Sequence, residues 1–288
     1  MQIHNQTKPI FSDEDVRAPK WYDRMLASFI FFTRLPFWRL WQPPKEAYNS
    51  VVEWWPLTGW LVGSAMAATL FFGSMAFPLP VAVVLAIVVR LLITGALHED
   101  GLADFFDGFG GGGTDRERIL AIMKDSHIGT YGVLGLVFYM LLLVTALCSI
   151  ALVDNSSERL FQRSEALPTM AVLTILAAVP FARMVTSQLI LMMPYARRED
   201  EAKSKTVYRR PSTAAGIGLA VQGLLPMAAF LWYTGLRWDL MLFVPALVMY
   251  FLYLLIWRRL RGYTGDCCGA VCLLVELAVY LVVCALCF

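Results

Sequence analysis

The chain has 288 residues, of which 58% are hydrophobic and only 16% charged, and its mean hydropathy is +0.61. That is too apolar for an ordinary soluble domain and reads as an all-α, polytopic integral membrane helical bundle. A formal net charge of +2 gives no reason to expect a nucleic-acid partner, and membrane lipid is the surrounding the composition demands.

The first 20 residues are polar and hold Asp13, Glu14, Asp15, Arg17 and Lys20 where a signal peptide would have an apolar core. The N-terminus is therefore expected to stay inside. Leu26–Trp41 is apolar and aromatic but interrupted by Arg34 and Pro36, which suits an interfacial or re-entrant helix better than a span. Residues 1–54 form an N-terminal cytoplasmic or interfacial segment, and 55–288 a transmembrane catalytic domain. With about 20 apolar residues needed per span, seven runs qualify, at about 55–78, 80–98, 131–153, 168–194, 213–235, 239–257 and 268–288.

Short cytoplasmic loops carry the excess of Lys and Arg. The cations concentrate in residues 1–54, at Arg116, Arg118 and Lys124, between Arg197 and Arg210, and at Arg258, Arg259 and Arg261, against Arg159, Arg163 and Arg237 on the other side. An inner membrane of a prokaryote, an inside N-terminus and an outside C-terminus follow as expectations. The six cysteines, five of them in or beside the last span, read as small packing residues of membrane helices and not as a metal or disulfide set.

The stretch from His98 to Gly132 gathers acids, glycines and cations between two apolar runs. If the second span continues as a helix to residue 108, Asp100, Asp104 and Asp107 stand at i, i+4 and i+7 on one face. No Lys or Arg lies between Ile93 and Thr114 to relieve their repulsion, so magnesium, which takes one or two carboxylates and completes its shell with water and phosphate, is the expected partner. A solvated acidic loop is the plainer alternative. Gly108 and Gly110 to Gly113 are expected to break the helix, with Gly110, Gly111 and Gly112 offering backbone amides to an anion.

Thr114-Asp115-Arg116-Glu117 reads as a capping box for a short helix to about Lys124. Lys124 would meet phosphate there, and Asp125 would either bind metal or cap that helix. Asp266, in the Gly262-Tyr263-Thr264-Gly265-Asp266 turn, would either cap the last span or bring a distant carboxylate to the metal. Arg90 and Arg183 lie inside spans, where an ionisable residue usually lines a polar pathway or binds something.

HEDGLADFFDG at 98–108, KDSHIGTYG at 124–132 and GYTGDCCGA at 262–270, together with FTRLP at 32–36, PFAR at 180–183 and YAR at 195–197, resemble the adenosylcobinamide-GDP ribazoletransferase (cobalamin synthase) family, in the family's order across nearly the whole chain. The chain departs from the family pattern at Glu99, His127 and the 198–207 loop. The resemblance implies a magnesium-dependent phosphotransferase that joins α-ribazole or α-ribazole 5′-phosphate to adenosylcobinamide-GDP and releases GMP, by attack of a ribose hydroxyl, read as the 5′-hydroxyl, on the pyrophosphate. It implies Asp100, Asp104, Asp107, Asp125 and Asp266 as magnesium ligands, and Lys124, Arg90, Arg183, Arg197 and the glycine loop on phosphates or nucleotide. The general base stays open among His98, His127 and a metal-bound carboxylate such as Asp104. Trp54 and Trp55 are expected as walls for the corrinoid, and a homo-oligomer is compatible with the sequence.

Two other classes compete. A CDP-alcohol phosphotransferase would show Asp-Gly followed by Ala-Arg and a later Gly-xxx-Asp-xxx-Asp, a spacing absent here. A cation transporter would place its acids near the bilayer midplane, whereas here the spans hold almost none apart from Glu276.

Overall fold

The computed structural model describes residues 18–153, 167–197 and 211–288. The polar N-terminal stretch, the loop with Arg159 and Arg163, and the basic stretch from Arg198 to Arg210 lie outside the described residues. Among those described the fold is all-α: α1 Trp21–Phe32, α2 Trp55–Ala76, α3 Leu79–Thr94, α4 Leu97–Gly111, α5 Arg116–Lys124, α6 Thr130–Leu152, α7 Thr169–Met192, α8 Thr213–Thr234, α9 Trp238–Leu260 and α10 Gly265–Cys287.

Six of these are long and apolar enough to cross a membrane singly, and α3 with α4 makes a seventh, broken candidate. The seven runs expected from hydropathy are thus present. The second differs, because the helix does not run on to residue 108: Gly95 and Ala96 both adopt positive φ, 65° and 57°, and α4 leaves α3 at 91°. Left-handed backbone ends a helix by satisfying its last carbonyls, and the Gly95 amide donates to Leu91 O.

Arg34 fills the corner so formed. Its backbone N–H donates to Ile93 O at 2.7 Å, and a Cβ on Gly95 would fall 2.0 Å from its Nε. The interfacial helix expected over 26–41 starts earlier and stops at Phe32, before Arg34 and Pro36. Asp23 holds this segment together, accepting from Lys20 N and Trp41 Nε1, both at 2.9 Å.

Bundle packing follows the small residues, since close backbone approach rather than apolarity drives helices together in lipid. A Cβ on Gly59 of α2 would lie 2.8 Å from Pro180 Cα of α7. Helix α10 touches α4, α6, α7 and α9 and is buried along most of its length. Helices α8 and α9 stand at the periphery and expose Trp232, Phe243 and Phe251, as lipid-facing helices do. Among the described residues no disulfide forms, and Cys148, Cys267, Cys268 and Cys272 are buried, in keeping with a packing role.

Candidate active site

Gly101 and Gly269 set the site. They face each other where α4 crosses α10, with a Cβ on Gly269 only 3.5 Å from Gly101 Cα, and one on Gly101 only 3.0 Å from Asp266 Cα. Thr264 is the N-cap of α10, its hydroxyl accepting from Cys267 N at 3.2 Å. Asp266, two residues on, is thereby relieved of that duty. The crossing brings Asp100 and Asp266 to one cavity of about 130 Å³, lined also by Phe31, Phe32, Val52, Trp55, Leu97, His98, Ile190, Tyr195, Arg197, Thr264, Gly265, Cys268 and Gly269.

Arg197 reaches this cavity because the chain after α7 is tied to the turn before α10. Tyr195 and Tyr263 form a short parallel bridge, with Ala196 N donating to Tyr263 O at 2.8 Å and Tyr263 N to Pro194 O at 3.0 Å. The Arg197 guanidinium donates to Leu120 O at 3.2 Å and stands 4.0 Å from the Asp266 carboxylate. Arg116 adds a latch from α5, donating to Leu260 O at 2.8 Å and to Ala196 O. Arg197 also borders an outer groove with Arg116, Glu117 and Lys124, so one cation separates an acidic cavity from a more basic groove.

The other expected site residues fall elsewhere. Asp107 is buried, and its two carboxylate oxygens accept from Gly129 N at 2.7 Å and Gly132 N at 2.8 Å: it closes the N-terminus of α6. Asp104 is half-buried one turn beyond Asp100 on α4 and does not line the cavity. Asp125 and His127 form an exposed pair, Nδ1 to Oδ1 at 2.7 Å, outside the cavity lining. That hydrogen bond holds the His127 imidazole above its ordinary pKa and the Asp125 carboxyl below its own.

Gly108 and Gly110 do not break α4, which ends later in the glycine run, at Gly111, with Gly112 as its C-cap and Gly113 at a φ of 62°. Gly110 admits the Tyr131 ring, where a Cβ would lie at 2.5 Å, and Gly112 admits Ile119 at the same distance, while Gly111 lies near Ile122. These are close-packing positions of α4 against α5 and α6. The cap of α5 is Asp115 and not Thr114; its carboxylate accepts from Glu117 N and Arg118 N.

Arg90 and Arg183 are buried deep in the bundle, 1% and 2% exposed, and their partners are protein. Arg90 pairs with Glu99 at 2.8 Å and Glu276 at 3.1 Å and donates to Tyr139 Oη at 3.0 Å. Arg183 lies 3.8 Å from Glu276, and Tyr280 Oη donates to Glu276 at 3.0 Å. Two cations and two acids thus neutralise one another inside the apolar bundle, as buried charge must. Sequence reasoning missed Glu99 and Glu276 as partners, although Glu276 is the lone acid of the last span.

An aromatic wall was only half anticipated. Phe32, Trp55 and His98 hold their rings nearly parallel, within 7–14°, at centroid separations of 5.0–6.3 Å. Trp54, by contrast, packs on Trp21 at 6.2 Å and does not line the cavity.

Among the described residues no three His, Cys, Asp or Glu cluster closely enough to hold a metal between them. Two carboxylates on one cavity are nonetheless the donor number and type that magnesium takes from a protein when water and phosphate complete its shell, so Asp100 and Asp266 fit such an ion.

A bundle of helices long and apolar enough to cross a membrane, with two carboxylates and an arginine on one cavity, defines the class: a polytopic membrane protein. Comparison with known proteins narrows this. The profile of the family described as "Cobalamin-5-phosphate synthase" matches residues 24–284. The chain is 33% identical to an adenosylcobinamide-GDP ribazoletransferase of Shewanella baltica over 260 residues, 90% of this chain and 93% of that one. It is 33% identical to one from Shewanella frigidimarina over 269 residues, 92% and 97% of the two chains, and 34% identical to one from Vibrio cholerae over 263 residues, 90% and 92%. No solved structure matches. The chain belongs to the cobalamin-5-phosphate synthase family, and is a membrane transferase of cobalamin biosynthesis.

Proposed function

We propose that the chain transfers the adenosylcobinamide phosphate moiety of adenosylcobinamide-GDP to α-ribazole or its 5′-phosphate, releasing GMP. The observation that carries this reading is the convergence of Asp100, Asp266 and Arg197 on one cavity in a chain of this family. With the 5′-phosphate as acceptor the 5′ oxygen is already esterified, so the nucleophile is a secondary ribose hydroxyl rather than the 5′-hydroxyl expected from the sequence. Its oxygen bonds the phosphorus on the corrinoid side of the pyrophosphate, the bridging P–O bond breaks, and GMP leaves with the bond's electron pair.

The chain's own groups divide this work. Asp100, which faces the cavity, takes the hydroxyl proton. Arg197 lies between the cavity and the outer groove and neutralises charge on the departing phosphate, and Lys124 and Arg116 line the groove into which GMP passes. Held by Asp100 and Asp266, with Asp104 one turn away, magnesium would supply charge neutralisation across the phosphates. His98 is buried within the aromatic wall, and His127 is exposed outside the cavity, so neither is assigned as base.

The site end of the bundle carries Lys20, Arg24, Arg34, Arg39, Lys45, Arg116, Arg118, Lys124, Arg197, Arg258, Arg259 and Arg261, and the far end Arg237 among the described residues. That asymmetry supports an active site and N-terminus on the cytoplasmic side of the inner membrane. The test is purified protein in liposomes with adenosylcobinamide-GDP, α-ribazole 5′-phosphate and magnesium. GMP and corrinoid product in equal amounts support the reading; no product from a folded, magnesium-replete preparation overturns it, and CDP-alcohol substrates would then be tried.

A further inference from the structure

Arg116 and Arg197 are tied through one peptide group. The chain leaving α7 runs as Pro194-Tyr195-Ala196-Arg197 beside the turn before α10, so closely that a Cβ on Gly262 would fall 2.7 Å from Pro194 O and 3.0 Å from Ala196 Cα. Ala196 N donates to Tyr263 O at 2.8 Å, and Ala196 O accepts from Nη2 of Arg116. The same guanidinium spends Nε on Leu260 O at 2.8 Å, a last-turn carbonyl of α9 with no partner inside its own helix. We infer that Arg116 is a positioning residue for the transfer: it fixes the peptide between Ala196 and Arg197, and so holds the Arg197 side chain between cavity and groove, where Arg197 binds the phosphate of the departing nucleotide. This rests on the transferase reading above and adds which residue keeps Arg197 in place.

Three observations carry it. A peptide unit is planar and rigid, so a hold on Ala196 O also sets the direction of Arg197 N and Cα. With its own amide bonded to Tyr263 O, Ala196 is then fixed on both sides. The second observation is the state of Arg197 itself. Its side chain is 4% exposed, yet only Nη2 donates a hydrogen bond, to Leu120 O at 3.2 Å; Nε and Nη1 are buried without a hydrogen-bond partner among the described residues. Unspent donors on a buried cation are costly, and phosphate oxygens answer them with charge-assisted bonds. The Asp266 carboxylate, at 4.0 Å, attracts the guanidinium from beyond hydrogen-bond reach. Third, two separate carbonyls need a two-pronged donor. A guanidinium offers its N–H groups in a fixed planar fork, whereas a lysine ammonium is a point charge on a flexible stem. Both Arg116 bonds go to main chain, so its role is one of geometry and not of charge.

The experiment compares wild type with Arg116→Gln, Arg116→Lys, Arg197→Gln and the double variant Arg116→Gln/Arg197→Gln, each shown to be folded by thermal unfolding in detergent. GMP binding is measured by equilibrium dialysis, and kcat in the full reaction. Arg197→Gln is expected to weaken GMP binding and lower kcat about tenfold or more, the loss usual for a hydrogen bond to a charged group. Arg116→Gln should do the same, and the double variant should be no worse than Arg197→Gln alone, because one residue acts through the other. Arg116→Lys, which keeps the charge, should resemble Arg116→Gln. Losses that multiply in the double variant, or full rescue by lysine, would show Arg116 acting on the ligand by its own charge and overturn the assignment. Wild-type GMP affinity and turnover in Arg116→Gln would overturn it as well while leaving the transferase reading intact. GMP binding that depends on Arg116 through Arg197 in a protein without turnover would sustain the positioning role and sink the reaction.

Discussion

Arg90 and Glu276 lie 3.1 Å apart in the bundle although 186 residues separate them in the chain. Each is almost fully buried, and each reaches a second opposite charge, Arg90 to Glu99 and Glu276 to Arg183. The pairs join α3, α4, α7 and α10 beneath the cavity.

Removing one member leaves its partners charged and unmatched in an apolar interior, a change that destabilises a protein by about 3–5 kcal/mol. Glu276→Gln and Arg90→Met should therefore each lower the unfolding midpoint in detergent markedly. The double variant should lose less than the sum of the two. Additive losses in that cycle would show that the two charges do not interact.

Gly101 should tolerate no bulk. A Cβ there already meets Asp266 Cα at 3.0 Å and its carbonyl oxygen at 3.1 Å, so Gly101→Val must push α4 away from α10 and separate Asp100 from Asp266. A displacement near 1 Å at a reacting site costs about 100-fold in rate. The expected result is a folded protein with kcat reduced by about that factor; an unchanged kcat would disconnect the helix crossing from the chemistry.

The acids should divide into two groups. Asp100→Asn and Asp266→Asn are expected to lower magnesium-dependent turnover about 100-fold or more, the loss usual when a group that stabilises transition-state charge is removed, and chelator should abolish wild-type turnover. Asp125→Asn should retain most activity, because its carboxylate is bound to His127 away from the cavity. Asp107→Asn should act on stability through the start of α6, by about 0.5–2 kcal/mol, as cap replacements do. Titrating magnesium against initial rate for the four variants checks the whole pattern.

The exposed His127–Asp125 pair gives a pH signature. Its hydrogen bond raises the His127 pKa above the ordinary histidine value, so what the pair adds to stability is present below the unfolded pKa and lost as pH rises through the folded one. Carbethoxylation of His127, followed by mass spectrometry, should reach half-maximal rate at a higher pH than a free histidine. Asp125→Asn should move that midpoint down toward the ordinary value. Coincident midpoints would mean the pair does not form.

Hydropathy made the spans legible because lipid imposes a length of apolar sequence on every crossing. It could not show the break at Gly95–Ala96, since Leu97 continues the apolar run and a change of direction needs two left-handed residues rather than a change of polarity. The acidic spacing pointed to Asp100, and the turn before the last span to Asp266. The spacing also suggested one shared role for Asp104 and Asp107, whereas Asp107 is turned to the amides of Gly129 and Gly132. Arg90 and Arg183 were recognisable as anomalies inside spans, but their partners were not, because pairing across 186 residues is written in helix packing and not in local pattern. Thr264 was the least visible of all: it sits two residues before an acid equally suited to cap α10, and only the folded turn decides between them.

The 91° corner between α3 and α4 bears on how the protein lives with its lipid. The spacing of Asp100 and Asp104 is fixed within α4 by helix geometry, but that of Asp100 and Asp266 rests on the contact of Gly101 with the first turn of α10. Thicker or thinner lipid stretches or tilts spanning helices along their length, and because α4 turns off the line of α3 it need not follow that adjustment. While the contact of Gly101 with α10 holds, the protein should work in bilayers of differing chain length with little change in turnover.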